Sequence, residues 1–315
     1  MTISQEKKGE LLNLESVTWS DLTWINIERP TEQETEYLAK NYHFHHLDLD
    51  DCLSRIQRPK IDEYRDYLFL VFHFPVFNKE ARVTTSSQVS VFISDKYLIT
   101  LHKGELKPLV KLFRECQIDE EAKREHLSQG SGYLLYRMVD RLVDYCLPIL
   151  NKIGNNIEEV EERVFSDSMI STVKEISILR RDVISFRRII SPMRAVIVSL
   201  KPRIRLFSTM ELEVYFDDMV DHIEKIWDGL DEYKEIIEGL NDTYDSLATN
   251  RTNEIVRMLT VIATILLPIT VVASLYGMNI PLPFQDSAYS LLFVFLIMIV
   301  IVSSMLYFFR HKHWI

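Results

Sequence analysis

The sequence predicts an α-helical membrane protein in which an α/β domain is followed by long helices and a two-helix transmembrane hairpin. Three observations predict it. First, residues 258–285 carry no charge over a run of 28, residues 287–309 carry none over 23, and Asp286 alone separates them. Each run exceeds the roughly 20 residues that cross a hydrocarbon core about 30 Å thick. Second, nearly all the charge lies ahead of these runs, so the averages of 47% hydrophobic and 26% charged residues hide two populations. Third, residues 207–254 hold 14 Asp/Glu, three Lys/Arg and no proline, so one acidic helix can run straight into the first span.

Residues 1–130 read as an α/β domain that stays in the cytoplasm. The stretches 16–26 (SVTWSDLTWIN) and 67–77 (YLFLVFHFPVF) are rich in aromatic and β-branched residues and read as strands. Residues 88–93 alternate, meet a turn at Asp95-Lys96, and resume as a strand over 97–102, which predicts a hairpin. Residues 31–41 and 107–114 read as helices on the sheet, with Pro30 and Pro59 as punctuation. His43, His45 and His46 cluster, but no second group at ligand spacing accompanies them, so they read as a solvated helix-to-loop segment.

Residues 131–206 read as a cytoplasmic helical pair. Residues 133–164 form one helix with Pro148 as its breaker, and 170–200 form another, interrupted by Pro192. The turn falls at 166–168, and two such helices pack antiparallel. The long acidic helix then occupies 207–275. Val214, Val220, Ile223, Ile226, Leu230, Tyr233, Ile236, Ile237, Leu240 and Tyr244 are expected to keep one of its faces buried. Its other faces carry strong self-repulsion, which divalent cations or basic surfaces would relieve.

Composition excludes several functions. A net charge of −10 argues against a nucleic-acid partner and suits cation binding. Cys52, Cys116 and Cys146 are odd in number and widely spaced, as free buried thiols in a reducing compartment would be. No secretory signal is seen in the polar first residues. With 8 glycines, no Walker loop and no HExxH or GxSxG, the chain does not read as an enzyme.

The hairpin divides into a first span at about 256–275, an external loop at 276–286, a second span at 287–309 and a basic tail at 310–315. Asp242, Asn253, Thr260, Thr264, Thr270 and Ser274 wind along roughly one face of the first helix. Such a row suits a face that lines water or other helices. Pro268 sits mid-span, where helix packing tolerates a kink. Arg251 and Arg257 before the first span, and Arg310 and Lys312 after the second, place both termini in the cytoplasm of a cell-membrane protein. One hairpin cannot enclose a pore, so a polar path needs several copies around an axis.

Tyr276-Gly277-Met278-Asn279, following a span that carries Pro268 in the context Asn253-Glu254-Ile255-Val256-Arg257-Met258-Leu259-Thr260, resembles the CorA family of magnesium and cobalt channels. Gln57-Arg58-Pro59-Lys60, Tyr133-Leu134-Leu135-Tyr136 and the ending before Trp314 extend the likeness over nearly the whole chain. The resemblance implies a homopentamer in the lipid membrane, carrying Mg2+ or Co2+ and gated by Mg2+ bound between cytoplasmic domains. It implies a selectivity filter at Gly277, Met278 and Asn279. It implies a pore lined by Asp242, Asn253, Val256, Leu259, Leu267, Thr270 and Ser274. It implies regulatory metal ligands at Asp218, after Tyr215-Phe216, and at Asp140.

Val256 and Leu267 stand where family members often carry methionine, and Asp286 is the only acidic residue after the motif. The chemistry agrees with the likeness. Mg2+ holds its water tightly, and neutral Asn carbonyls can accept hydrogen bonds from that water without stripping it. The alternatives are a Zn2+ or Ni2+/Co2+ transporter of the same architecture and a membrane-anchored cation sensor or scaffold.

Overall fold

The computed structural model describes residues 12–54, 57–164, 169–208, 210–278 and 289–314. Its backbone contacts divide the chain into two units, Met1–Leu240 and Asn241–Ile315.

The first unit opens on six strands: β1 (Leu14–Trp19), β2 (Leu22–Glu28), β3 (Lys60–Glu63), β4 (Leu68–Asn78), β5 (Val83–Ile93) and β6 (Tyr97–His102). They form one sheet in the order β1-β2-β6-β5-β4-β3. Only β2 and β6 run parallel. The stretch 16–26, expected as one strand, is two. Trp19 pairs with Leu22, and Ser20 turns the chain at φ 51°. Ser20-Asp21 is a dipeptide that tolerates a tight two-residue hairpin. The expected hairpin at Asp95-Lys96 forms, closed by the Ser94 amide donating to the Tyr97 carbonyl at 3.0 Å. In β4, Phe69 and Val71 are buried on one face and Leu70 and Phe72 on the other, which explains its unbroken apolar run.

Helices α1 (Glu32–Tyr42) and α2 (His46–Leu53) cover one face, where Leu38 and Leu49 join Ile25, Phe69 and Phe92 in a single core. On the other face α3 (Lys107–Ile118) sets Phe113 edge-on to Trp24 at 4.9 Å. The histidine cluster is local structure. His45 Nδ1 caps α2 by accepting from the Leu47 amide, and His46 stacks on His45. No metal-holding group appears there among the described residues. All three cysteines are free and buried.

Helices α4 (Glu120–Leu127), α5 (Ser131–Asp144), α6 (Cys146–Val164), α7 (Met169–Ile204) and α8 (Glu213–Tyr276) follow. The break expected at Pro148 falls instead at Tyr145, and Pro148 lies in the first turn of α6, where its missing N–H would have no helical partner. Pro192 does not interrupt α7, which runs through both Pro192 and Pro202. The expected turn at 166–168 lies outside the described residues. The long helix begins at Glu213 rather than 207, because a 3-10 turn at Arg205–Phe207 ends α7 first.

Buried residues on these helices recur at alternating steps of three and four. On α6 they are Leu150, Ile153, Ile157 and Val160; on α7, Phe186, Ile190, Met193, Ile197 and Leu200; on α8, Phe216, Met219, Ile223, Ile226 and Leu230. This is the spacing of one apolar face along each helix. Val214, expected in the buried face of α8, is 75% exposed; Phe216 and Met219 take that place. Glycines permit α6 and α8 to approach. A Cβ at Gly154 would come within 2.3 Å of the Tyr233 hydroxyl, and Leu150 packs against Gly229. Matching steps of four along both helices mean that α6 and α8 run parallel.

The second unit holds the C-terminal part of α8 and the apolar helix α9 (Ser290–His311).

Candidate functional site

The C-terminal part of α8 and the helix α9 are each long and apolar enough to cross a membrane, and almost none of either is buried within the chain. Val256, Leu259 and Leu267 are 56%, 67% and 66% exposed, and Asp242, Asn253, Thr270 and Ser274 are exposed as well. Among the described residues, those expected to line a path thus have no cover from their own chain.

The threonines of the polar row are satisfied locally. The Thr260, Thr264 and Thr270 hydroxyls donate to the carbonyls of Val256, Thr260 and Leu266 at 2.8, 2.6 and 2.9 Å. Each hydroxyl proton stays on its own helix, and the oxygen keeps acceptor capacity toward whatever meets that face. Pro268 lies within the helix and offers no N–H to the Thr264 carbonyl one turn back.

Helix α8 ends at the motif. The Gly277 amide donates to the Ala273 carbonyl at 2.9 Å, and the Met278 amide to the Leu275 carbonyl at 3.3 Å. A Cβ at Gly277 would stand 3.1 Å from the Ala273 oxygen, so glycine suits a chain that turns off immediately. Both Gly277 and Met278 are exposed. Asn279 and Asp286 lie outside the described residues.

A second group forms in the first unit. The Asp140 side chain on α5 is largely buried, with Arg137 Nη1 4.0 Å away. Asp144, one turn on, lies 3.5 Å from His222 Nδ1, and Asp218 lies 4.0 Å from His222 Nε2. Burial first, then the nearby Asp144 charge, pushes the Asp140 carboxyl above its ordinary range. Asp218 adds to that push, while Arg137 and His222 oppose it. The fold therefore brings Asp140 and Asp218 into one electrostatic neighbourhood on a single chain. Among the described residues no three acidic, His or Cys side chains reach metal-holding geometry within the chain. Sequence reasoning sets His222 beside Asp218 without giving it a role, and misses Asp144 as a member of this group. Their signal is one of spacing, since each follows its partner by four residues and so shares its helix face.

The family described as CorA-like Mg2+ transporter protein matches residues 19–312. The chain is 32% identical over 304 residues to the cobalt/magnesium transport protein CorA of Thermotoga maritima, covering 93% of this chain and 83% of that one. The structure is similar to that of the CorA magnesium transporter of Methanocaldococcus jannaschii, with a TM-score of 0.84 at 25% identity over 94% of this chain and 92% of that one. It is also 20% identical over 300 residues to the zinc transport protein ZntB of Yersinia pseudotuberculosis, covering 93% of this chain and 88% of that one.

Proposed function

The chain belongs to the CorA-like Mg2+ transporter family, a family of membrane transporters rather than enzymes, and from that premise we propose that it forms a Mg2+ channel assembled from several copies. The observation that carries the reading is the exposed face of α8 from Asn253 to Ser274. It combines amide and hydroxyl oxygens with Val256, Leu259 and Leu267, and among the described residues nothing in its own chain covers it. Five copies set with α8 inside and α9 toward lipid would enclose that face. Apolar positions then gate by dewetting, and Gly277, Met278 and Asn279 receive the hydrated ion at the outer mouth. Both termini lie in the cytoplasm, consistent with Arg251, Arg257, Arg310 and Lys312 flanking the two spans.

Asp140, Asp218 and their neighbours Asp144 and His222 supply the regulatory element. A Mg2+ ion shared with the adjacent subunit would relieve their mutual repulsion and favour the closed ring, as ligand-biased population shift requires. Zn2+ transport is the second reading, favoured by the likeness to ZntB.

The test is uptake of Mg2+, Co2+ and Zn2+ into proteoliposomes containing the purified protein. Preference for Mg2+, with internal Mg2+ slowing uptake, is the expected result. Uptake of Zn2+ alone overturns the first reading in favour of the second, and no uptake of any ion leaves a membrane-anchored sensor.

A further inference from the structure

Helix α9 closes in an ordered turn. His313 takes the left-handed conformation, with φ 55°. The Trp314 amide donates to the Phe309 carbonyl at 3.0 Å, and the His313 amide to the Arg310 carbonyl at 3.1 Å. The Trp314 ring stacks on Phe309 at 5.7 Å. The nested hydrogen bonds, the left-handed residue and the apolar contact together make a complete Schellman motif. One turn back, His311 stacks on Tyr307 at 6.4 Å, with ring planes 6° apart. Arg310, His311, Lys312 and His313 are thus held around the last turn, and all four are exposed.

Helix α8 brings another cation to the same level. Among the described residues of the second unit, Val261 and Phe309 are the buried hydrophobic ones. Within that unit only α9 can cover Val261. Arg257 lies four residues before Val261 and so shares the covered face of α8. At about 1.5 Å per residue, Arg257 stands roughly 28 Å from Tyr276, and Arg310 roughly 30 Å from Ser290. Each is the first charge that its helix meets, so both arrive at one border of a hydrocarbon core about 30 Å thick.

These cations have no counter-ion. Among the described residues, Arg257, Arg310 and Lys312 make no ion pair, and Glu254, three residues before Arg257, does not reach it. Full charges of one sign held at one border repel one another. Exposed rings flank them: Tyr307 is 76% exposed, Phe308 56% and Trp314 44%. Amphipathic rings settle at the headgroup level of a bilayer. The anion found at that level is phosphate, whose oxygens a guanidinium takes by paired hydrogen bonds.

We propose that the basic turn closing α9, together with Arg257 of α8, binds the phosphate of an anionic phospholipid headgroup and so ties the two spans together at one membrane border. The flanking rings favour a lipid over a carboxylate of another copy, which would leave them in water. The inference rests on the two helices spanning the membrane and not on what the protein conducts.

The experiment reconstitutes the full chain in phosphatidylcholine vesicles and follows spin-labelled phosphatidylglycerol and spin-labelled phosphatidylcholine by electron paramagnetic resonance. The wild type should immobilise phosphatidylglycerol in preference, and the preference should saturate as label is added. Arg310→Gln should lower it about five-fold at low salt, and Arg257→Gln should do the same from the other helix. Arg310→Lys should keep part of it, and Trp314→Ala, which frees the turn, should weaken it. Arg251→Gln, six residues before Arg257 and on a different face, should leave it unchanged. Circular dichroism and gel filtration check that each variant folds and assembles. No preference in the wild type overturns the inference. Equal loss from Arg251→Gln overturns it in favour of a general attraction of basic residues to the surface. Displacement of the lipid label by inorganic phosphate overturns it in favour of a soluble anion, and a preference that appears only in Glu254→Gln overturns it in favour of a carboxylate of another copy. Mg2+ uptake enters none of these readings, so their failure leaves the channel reading untouched.

Discussion

The two halves of α8 share one backbone and differ in what surrounds them. From Glu213 to Leu240 the helix buries Phe216, Met219, Ile223, Ile226 and Leu230 against its own chain and presents its acid to α7 cations. From Asn241 to Tyr276 it carries more apolar side chains and buries almost none; Val261 is the exception. Apolar surface left uncovered over such a length is found where lipid or further copies complete the fold. The difference teaches that hydrophobic content does not decide burial. The lower half follows a three-four spacing that its neighbours can fill, whereas the upper half sets polar oxygens among apolar residues all round.

The largest expected effect breaks the comparison at its far end. Asn279→Ala should abolish Mg2+ uptake while leaving membrane assembly intact, as judged by gel filtration in detergent beside a proteoliposome flux assay. Wild-type uptake from that variant would reduce Asn279 to an ordinary loop residue.

The next contrast sets two truncations side by side. Phe216 is fully buried and Leu267 is 66% exposed. Phe216→Ala should lower the unfolding free energy of the full-length protein by about 3–5 kcal/mol through a cavity. Leu267→Ala should change it by less than about 0.5 kcal/mol, as exposed substitutions do. Denaturant unfolding in detergent, followed by circular dichroism, measures both. Equal losses would mean that the upper half is packed within its own chain.

The halves should also differ in their response to acid, because residues 258–278 contain no Asp, Glu, His, Lys or Arg. In the soluble unit, His102 is buried, with Nε2 at 2.9 Å from Asn26 Oδ1 and Nδ1 accepting from the Gly104 amide at 2.9 Å. Burial lowers its pKa from 6.5 to about 4. The unfolded chain therefore takes up this proton before the folded chain does, and stability falls as pH drops from about 6.5 toward 4. The loss attributable to this one group is about 3 kcal/mol at its limit. His102→Gln should flatten that part of the stability-pH curve, and an unchanged slope would assign the loss to other groups.

A smaller effect is expected at the constriction. Leu259→Asp should hydrate the path and raise the resting ion leak about several-fold at normal expression. An unchanged leak would place Leu259 against lipid.

Much of this contrast is legible in the amino-acid sequence. The uncharged runs, the hairpin at Asp95-Lys96 and the helix over 32–42 follow from local pattern. Where sequence reasoning errs, the causes are local. Ser20-Asp21 sits inside a β-rich stretch whose composition hides a two-residue turn. Pro148 marks a helix start rather than a break, since a proline in the first turn removes no intrahelical bond. The helical spacing of apolar residues identifies most of the buried face of α8, including Ile223, Ile226, Leu230, Ile237 and Leu240. The same reading puts Val214 in the buried face in place of Phe216. The proximity of Asp140 to Asp218, and the part played by Asp144 and His222, depend on the packing of α5 on α8, which no local pattern specifies.

On the channel reading, one face of the upper half of α8 lines the ion path. Val256, Leu267 and Ser274 are spaced by 11 and 7 residues, close to three and two helical turns, and so share that face. Ile255, Ile262 and Ala273 are spaced by 7 and 11 on a face about 100° round the helix from the first. The native cysteines are buried, so single cysteines at these six positions can be tested without much background. A charged thiosulfonate reagent applied during Mg2+ uptake should block flux through the 256, 267 and 274 variants and spare the 255, 262 and 273 variants. Block at the second set with none at the first would contradict the claim.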